Sequence, residues 1–353
     1  MKILYAPYNI ASMPSVTAEA MNKLPGVKAI CISIGENKYS TYFNNTVTVT
    51  VNSSNILYKI ISKIKLLLIL FRYILWADVI HWTWRGVLPY DIDLRLIKLF
   101  KKKAFIEWVG SDIRVPEVLM NYNETYKHAF YNGYEYANGE NKLDSYKTQE
   151  IFLKYNFTPI LVPEMKLYLK PHLFNIVYDT QYRIFTSLIN PQFPTKDNTL
   201  IKIIHSPSAR IAKGSNYIEA TIEKLKLKYN IEYLELHNLP HIEVLSKIQS
   251  ADIFIDQIVL GSYAMAAMEA MCYGKPVIAY ILPVLFEKGI NNECPIINAT
   301  HLTLEIELEK LICNSELRHS LGRESRKYVE KFHDADILSK SLYDIYSKEF
   351  TKN

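Results

Sequence analysis

Little in this chain points to membrane-spanning, metal or dinucleotide chemistry. Four cysteines in 353 residues (Cys31, Cys272, Cys294 and Cys313) lie far apart, with no metal spacing, and are expected to be reduced and buried. No dinucleotide glycine fingerprint, internal repeat or low-complexity tail is present. Met1-Lys2 runs straight into the strand-like "ILYAPY", so no signal peptide is expected. The most apolar helical stretch, 56–76, has Leu66 to Phe71 as its longest uncharged run, far short of the ~20 residues that cross a bilayer. Acid is scarce in the first half: residues 1–190 hold 22 Lys/Arg against 15 Asp/Glu, and the remainder 19 against 21. A uniformly basic nucleic-acid binder would not divide its charge this way, so one half is expected to face an anionic surface or substrate.

What is present is a repeated strand–loop–helix rhythm. Lys2 to Tyr5 reads as a first strand, Val16 to Lys23 as a helix and Val27 to Ile34 as a second strand, the opening of a parallel sheet. Residues 56–76 carry Lys59, Lys63, Lys65 and Arg72 and no acid. Such a helix packs on the sheet, lies on an anionic membrane, or does both with different faces. The next strands end at His81 and at Gly110-Ser111-Asp112, where ligands of open parallel sheets bind. His81 and Asp112 are therefore candidates for positioning a substrate, although a buried histidine and a turn-capping aspartate have the same sequence appearance. Asn121 to Gln149 is rich in Tyr, Asn and Gly, which fits either a surface insertion or a loop whose tyrosines stack on sugar rings.

The second half is clearer. Strand Leu200 to Ile204 meets Ser206-Pro207-Ser208, then Arg210 and Lys213, then Gly214 and a helix from Ser215 with Ile218, Ile222 and Leu225 on one face. A helix entrance with two fixed cations suits a diphosphate without a metal. "ADIFIDQ" is a further strand, and "SYAMAAMEAMCYGKPVIAYI" is helix, turn and strand, placing Glu269 on a helix that starts at the same sheet edge. A carboxylate there can accept both hydroxyls of a ribose. The Asp-x-Asp match, Asp91-Ile92-Asp93, begins a helix in the other half and reads as a cap.

Taken together, "ADVIHW", "GSDIR", "SPSARIAKG", "ADIFIDQ", "MEAMCYGKPVIAY" and "NSELRHSLGRESRKYVEKFHD" resemble the GT-B glycosyltransferases, in particular retaining family four, the "glycosyl transferases group 1" type. The resemblance covers both halves and is closest over 200–350. It implies an α/β protein with two Rossmann-like parallel-sheet domains, an interdomain cleft and a C-terminal crossing helix. The domains would be an acceptor-binding one over 1–190, a nucleotide-sugar-binding one over 191–330, and a helix over 331–353 packing back on the first. Arg210 and Lys213 match the family's diphosphate pair, Gly214 the helix entrance, and Glu269 the second glutamate of its Glu–seven residues–Glu motif.

The first glutamate of that motif falls at Gly261, the histidine before the "GSD" turn at Val109, and Ala6-Pro7 replaces the usual glycine pair. Asp256, Gln257 and the backbone at Gly261 and Ser262 are then expected to take over part of the sugar grip. The implied activity is hexosyl transfer with retention from a nucleoside-diphosphate sugar to a saccharide or lipid-linked hydroxyl, in surface polysaccharide assembly. No metal or other cofactor and no nucleic acid enter this reading. The expected location is cytoplasmic, at the inner face of the cell membrane through contact over 56–76. A non-catalytic GT-B scaffold and a nucleotide-sugar 2-epimerase are the alternatives.

Overall fold

The computed structural model describes residues 1–351 apart from 36–42, 44, 52–54 and 198. The chain opens β1 (Lys2–Ala6), α1 (Met13–Met21), β2 (Lys28–Ile34), β3 (Thr46–Val49), α2 (Ile56–Trp76), β4 (Val79–Thr83), α3 (Ile92–Leu99) and β5 (Lys103–Glu107). Two short helices follow, α4 (Pro116–Met120) and α5 (Glu124–Tyr131), then α6 (Lys142–Lys154), β6 (Phe157–Leu161) and β7 (Tyr178–Asp179). From β8 (Ile201–His205) the order is α7 (Arg210–Lys213), α8 (Ser215–Lys226), β9 (Ile231–Glu235), α9 (His241–Gln249), β10 (Ile253–Ile255), α10 (Met265–Cys272), β11 (Val277–Ala279), α11 (Val284–Lys288) and β12 (Ile297–Asn298). Three helices end the chain: α12 (Leu304–Cys313), α13 (Ser315–Phe332) and α14 (Ala335–Thr351).

Two compact units result. The first comprises Met1–Arg114, Lys142–Arg183 and Ala335–Asn353; the second comprises Val115–Asn141 and Ile184–Asp334. Each is built on a parallel sheet, of order β3-β2-β1-β4-β5-β6-β7 in the first and β12-β11-β10-β8-β9 in the second. Sheets covered by helices on both faces need strands that are apolar on both sides. The all-buried patterns of β4, β10 and β11 follow this rule.

Residues 115–141 belong to the second unit, unlike the division expected at 190, and 335–353 belong to the first. The last helix enters the first unit because Leu342 and Tyr346 on one of its faces complete the core formed by Ile3, Tyr5, Val79 and Phe105. The tyrosine-rich stretch is mostly helical. Tyr126 and Tyr134 are buried, with their hydroxyls on the two oxygens of Glu140 at 3.2 and 3.4 Å, so these two rings serve packing and not a sugar. Asp91 makes no side-chain cap. Asp93 instead accepts the backbone N–H groups of Val87 at 2.6 Å and Leu88 at 3.3 Å. Cys31 and Cys272 are buried, Cys294 is half-buried, and Cys313, expected inside, is exposed.

Candidate nucleotide site

In the second unit the chain runs from β8 to its neighbour β9 on one side, then returns to β10 on the other. The strand order therefore reverses between β8 and β10, and the crevice beyond their carboxyl ends is where an open α/β sheet binds ligands. The loop leaving β8 carries Arg210 and Lys213, and the loop leaving β10 carries Asp256 and residues 257–263.

Lys213 links the two loops. Its Nζ donates to Asp256 Oδ1 at 3.0 Å, and Asp256 Oδ2 accepts the Ala264 N–H at 2.7 Å. Both partners are buried, so the ion pair is shielded from solvent and fixes the lysine. His205, the last residue of β8, braces the same corner: its ring nitrogens meet Ile255 O and Ser215 Oγ, each at 2.9 Å. Burial pushes its pKa down to about 4, which keeps the ring neutral beside Lys213.

Gly214 joins the four-residue α7 to α8 with φ +82°. A Cβ there would stand 2.6 Å from Ile258 Cγ1, so only glycine permits both the left-handed turn and the close approach of the β10 loop. Arg210, more than a third exposed, pairs with Glu219 at 2.8 Å and with Glu235 at the end of β9. Hydrogen bonding to Glu219 and then Glu235 raises the arginine further, so its charge is permanent.

Glu269 lies on α10, as expected, and accepts from His241 Nε2 at 2.7 Å. That bond raises the histidine against the opposing effect of burial. Nothing in the sequence marked His241: it precedes Glu269 by 28 residues and starts α9, after a different strand. Glu135 was missed for the same reason. Its two carboxylate oxygens accept the Ile211 and Ala212 N–H groups at 2.7 and 2.9 Å, seating 115–141 on the β8 loop. Asn123 likewise donates to Val259 O at 2.6 Å, beside Gly261.

The residues expected to grip the sugar are less accessible than anticipated. Asp256 is 1% exposed and both its oxygens are engaged, so it acts on Lys213 and not on a ligand in this structure. Ser262 is buried, its carbonyl accepting from Gln257 and its hydroxyl facing Tyr263 O at 3.5 Å. Gly261 has φ +80°, and a Cβ there would lie 2.6 Å from Leu282 Cγ. The missing carboxylate is thus part of a backbone conformation and not a simple side-chain loss.

The two acceptor candidates in the first unit require correction. His81 has no exposed surface: Nδ1 meets the Tyr346 hydroxyl at 2.5 Å and Nε2 meets Glu107 Oε2 at 3.0 Å. Glu107 in turn takes a two-pronged bond from Arg183, at 3.0 and 2.6 Å. Burial alone would raise this carboxyl, yet the Arg183 charge and the His81 bond hold it down at about 2. His81 belongs to this buried ionic core and cannot reach an acceptor. Asp112 is 1% exposed and caps its own turn, accepting from Gly110 N at 2.8 Å and Val109 N at 3.2 Å. Burial pushes its pKa up to about 6 against those N–H bonds. Among the described residues, no group of three or more His, Cys, Asp or Glu is placed to hold a metal ion.

No family model matches this sequence, and no curated protein matches it. Solved structures do match in fold. Sucrose-phosphate synthase from Thermosynechococcus elongatus superposes with a TM-score of 0.61 at 11% identity, covering 100% of both chains. A glycosyltransferase from Rickettsia africae reaches 0.60 at 14% identity, over 100% of this chain and 99% of that one. Anabaena HepE in complex with UDP-glucose reaches 0.53 at 11% identity, over 99% of this chain and 100% of that one. At these identities the fold is what is shared: two Rossmann-like parallel-sheet domains of the GT-B kind.

Proposed function

We propose that this chain is a glycosyltransferase that uses a nucleoside-diphosphate sugar. One observation carries the reading: a permanently charged arginine and a buried, tethered lysine follow the strand at which the sheet order reverses, on a glycine-hinged helix entrance. Breaking a sugar–diphosphate bond leaves a multiply charged leaving group, and fixed cations stabilise that charge as it develops. Arg210 and Lys213 would carry this role without a metal, and Glu269, held by His241, would accept the ribose hydroxyls. Anabaena HepE, which shares the fold, is described in complex with UDP-glucose, and this supports a nucleotide-sugar donor here.

The finer reading is retaining hexosyl transfer to a saccharide or lipid-linked hydroxyl in surface polysaccharide assembly. It rests on the motif resemblance. The buried Gly261 favours one rival, a GT-B protein that binds nucleotide without transferring sugar. Incubation with UDP-, GDP-, ADP- and dTDP-sugars in the presence and absence of magnesium, with release of the free nucleotide as readout, separates the two. Release from one donor, indifferent to magnesium and lost in Arg210→Ala, is the expected result. Nucleotide binding with no release on any acceptor would favour the rival, and binding of none would reject both.

A further inference from the structure

The helix α2 has two faces of opposite kind. Leu66, Leu70 and Ile74, four residues apart, are buried on the first unit's core. On the opposite side Ile61, Ile64, Leu68, Phe71 and Leu75 form one continuous stripe at helical spacing, from 38% to 63% exposed. Lys65 and Arg72, seven residues apart and both exposed, flank the stripe, and the helix contains no acidic residue. At 21 residues it is about 30 Å long, and among the described residues no helix is long and apolar enough to cross a membrane. An apolar stripe of this extent on an exposed helix marks an interaction surface.

A second feature adjoins its C-terminal end. Lys102 Nζ donates to the carbonyls of Leu75 and Ala77 at 3.1 and 2.6 Å, and the Phe71 and Phe100 rings meet edge to face at 5.8 Å. Behind them lies a recess of about 320 Å3 lined by Lys98, Lys101, Lys102 and Lys103 with Thr158 and a single acid, Glu349. It sits at the amino-terminal edge of β5 and β6, the edge opposite to where ligands of a parallel sheet bind. Lys98 bonds the Lys154 carbonyl at 2.7 Å, so it and Lys102 are held by neutral oxygens that leave their charge uncancelled. Leu99, 70% exposed at the end of α3, extends the apolar surface beside them.

We infer that α2 and this lysine recess form one docking surface for an anionic lipid bilayer. The stripe lies at the boundary of headgroups and acyl chains, and the recess takes the phosphate of an acidic headgroup. Charge decides the occupant. A second copy of this chain would bring two acid-free helices and two lysine recesses face to face, and like charges disfavour that contact. An anionic membrane complements the lysines and Arg72, which outnumber the single acid Glu349, and buries the stripe. The inference stands on the first unit alone and is read by binding, so it succeeds or fails independently of the donor site.

The test is co-sedimentation of the full chain with vesicles of phosphatidylcholine alone and of phosphatidylcholine with 30% phosphatidylglycerol. Binding to the second and much less to the first is expected. At about 1 kcal/mol, or roughly fivefold, per surface lysine, Lys98→Ala with Lys101→Ala weakens it on the order of 30-fold. Ile64→Ser with Leu68→Ser removes most of the rest, and both pairs leave the melting temperature within about 2 °C of wild type. Equal binding to neutral and anionic vesicles would overturn the headgroup role of the recess. No vesicle binding, with a dimer that Leu68→Ser dissociates, would assign the stripe to a second copy and overturn the proposal.

Discussion

Arg210 and Lys213 stand three residues apart and match the same motif, yet the structure makes their substitutions behave differently. Lys213 is buried against Asp256. Its replacement by Ala strands a carboxylate that keeps the Ala264 N–H at 2.7 Å and loses its counter-charge. Breaking such a pair costs about 3–5 kcal/mol, a fall of roughly 6–20 °C in the melting of a unit this size. Arg210 is 38% exposed and its partner Glu219 42% exposed, so that pair is screened by water, whereas its other partner, Glu235, is only 13% exposed. Arg210→Ala should therefore cost less than Lys213→Ala, on the order of 1–2 kcal/mol without ligand.

Ligand binding exposes the role of Arg210 that stability alone does not. A nucleoside diphosphate at one hundred times its dissociation constant stabilises the folded chain by about 2.7 kcal/mol. Loss of the charge-assisted bonds of one arginine removes about 1.5–3 kcal/mol of binding, roughly 13- to 160-fold in affinity. At the same ligand concentration, stabilisation drops to about 0.3–1.3 kcal/mol, and the thermal shift shrinks from about 5–11 °C to about 1–5 °C. Differential scanning fluorimetry of both variants, with and without UDP, GDP, ADP and dTDP, reads both quantities. Arg210→Ala that keeps the wild-type shift for the bound nucleotide would refute the assignment of the β8 loop to the diphosphate.

Further outcomes concern the residues around these two. Glu107→Gln leaves Arg183, 1% exposed, without its counter-ion and should lower stability by about 3–5 kcal/mol at neutral pH in urea unfolding. Because the Glu107 carboxyl is held at about 2, below its ordinary 4.5, that stabilisation is full above about pH 4.5 and lost as pH falls toward 2. The gap between variant and wild type should close over that interval. His241 has its pKa raised by Glu269, so its pairing stabilises the fold below the ordinary histidine value and is lost as pH rises through the raised one. An NMR titration should find the His241 ring titrating above 6.5, and in Glu269→Gln returning downward. Gly261→Glu, which restores the motif's first carboxylate, should destabilise the second unit by about 1–3 kcal/mol without raising transfer. Its φ of +80° and the 2.6 Å approach to Leu282 oppose any side chain.

Local pattern decided a large part of this molecule. The apolar runs of β1, β2, β8 and β10, the Gly214 hinge and the cation pair behind β8 were all legible in sequence. Each depends on a few neighbouring residues, and a buried parallel strand has to be apolar on both faces. The amphipathic character of 56–76 was legible as well. The edge strands β3 and β7 escaped because of their length, four residues in the alternating Thr-Val-Thr-Val of β3 and two in β7. The helices over 124–154 escaped because abundant Tyr, Asn and Gly there masked a helical pattern.

Whether a polar residue at a strand end faces a ligand or the core is a different kind of question. His81 and Asp112 occupy the edge that the sequence assigned them, but Arg183, Glu107 and Tyr346, distant in the chain, close over the first, and the backbone turn 109–113 encloses the second. The passage of 115–141 to the second unit and the pairing of Glu269 with His241 likewise join residues separated by tens of positions. Periodicity and propensity act over a turn or a strand. Burial and ionic pairing depend on which distant segments meet, and only the packed structure decides that.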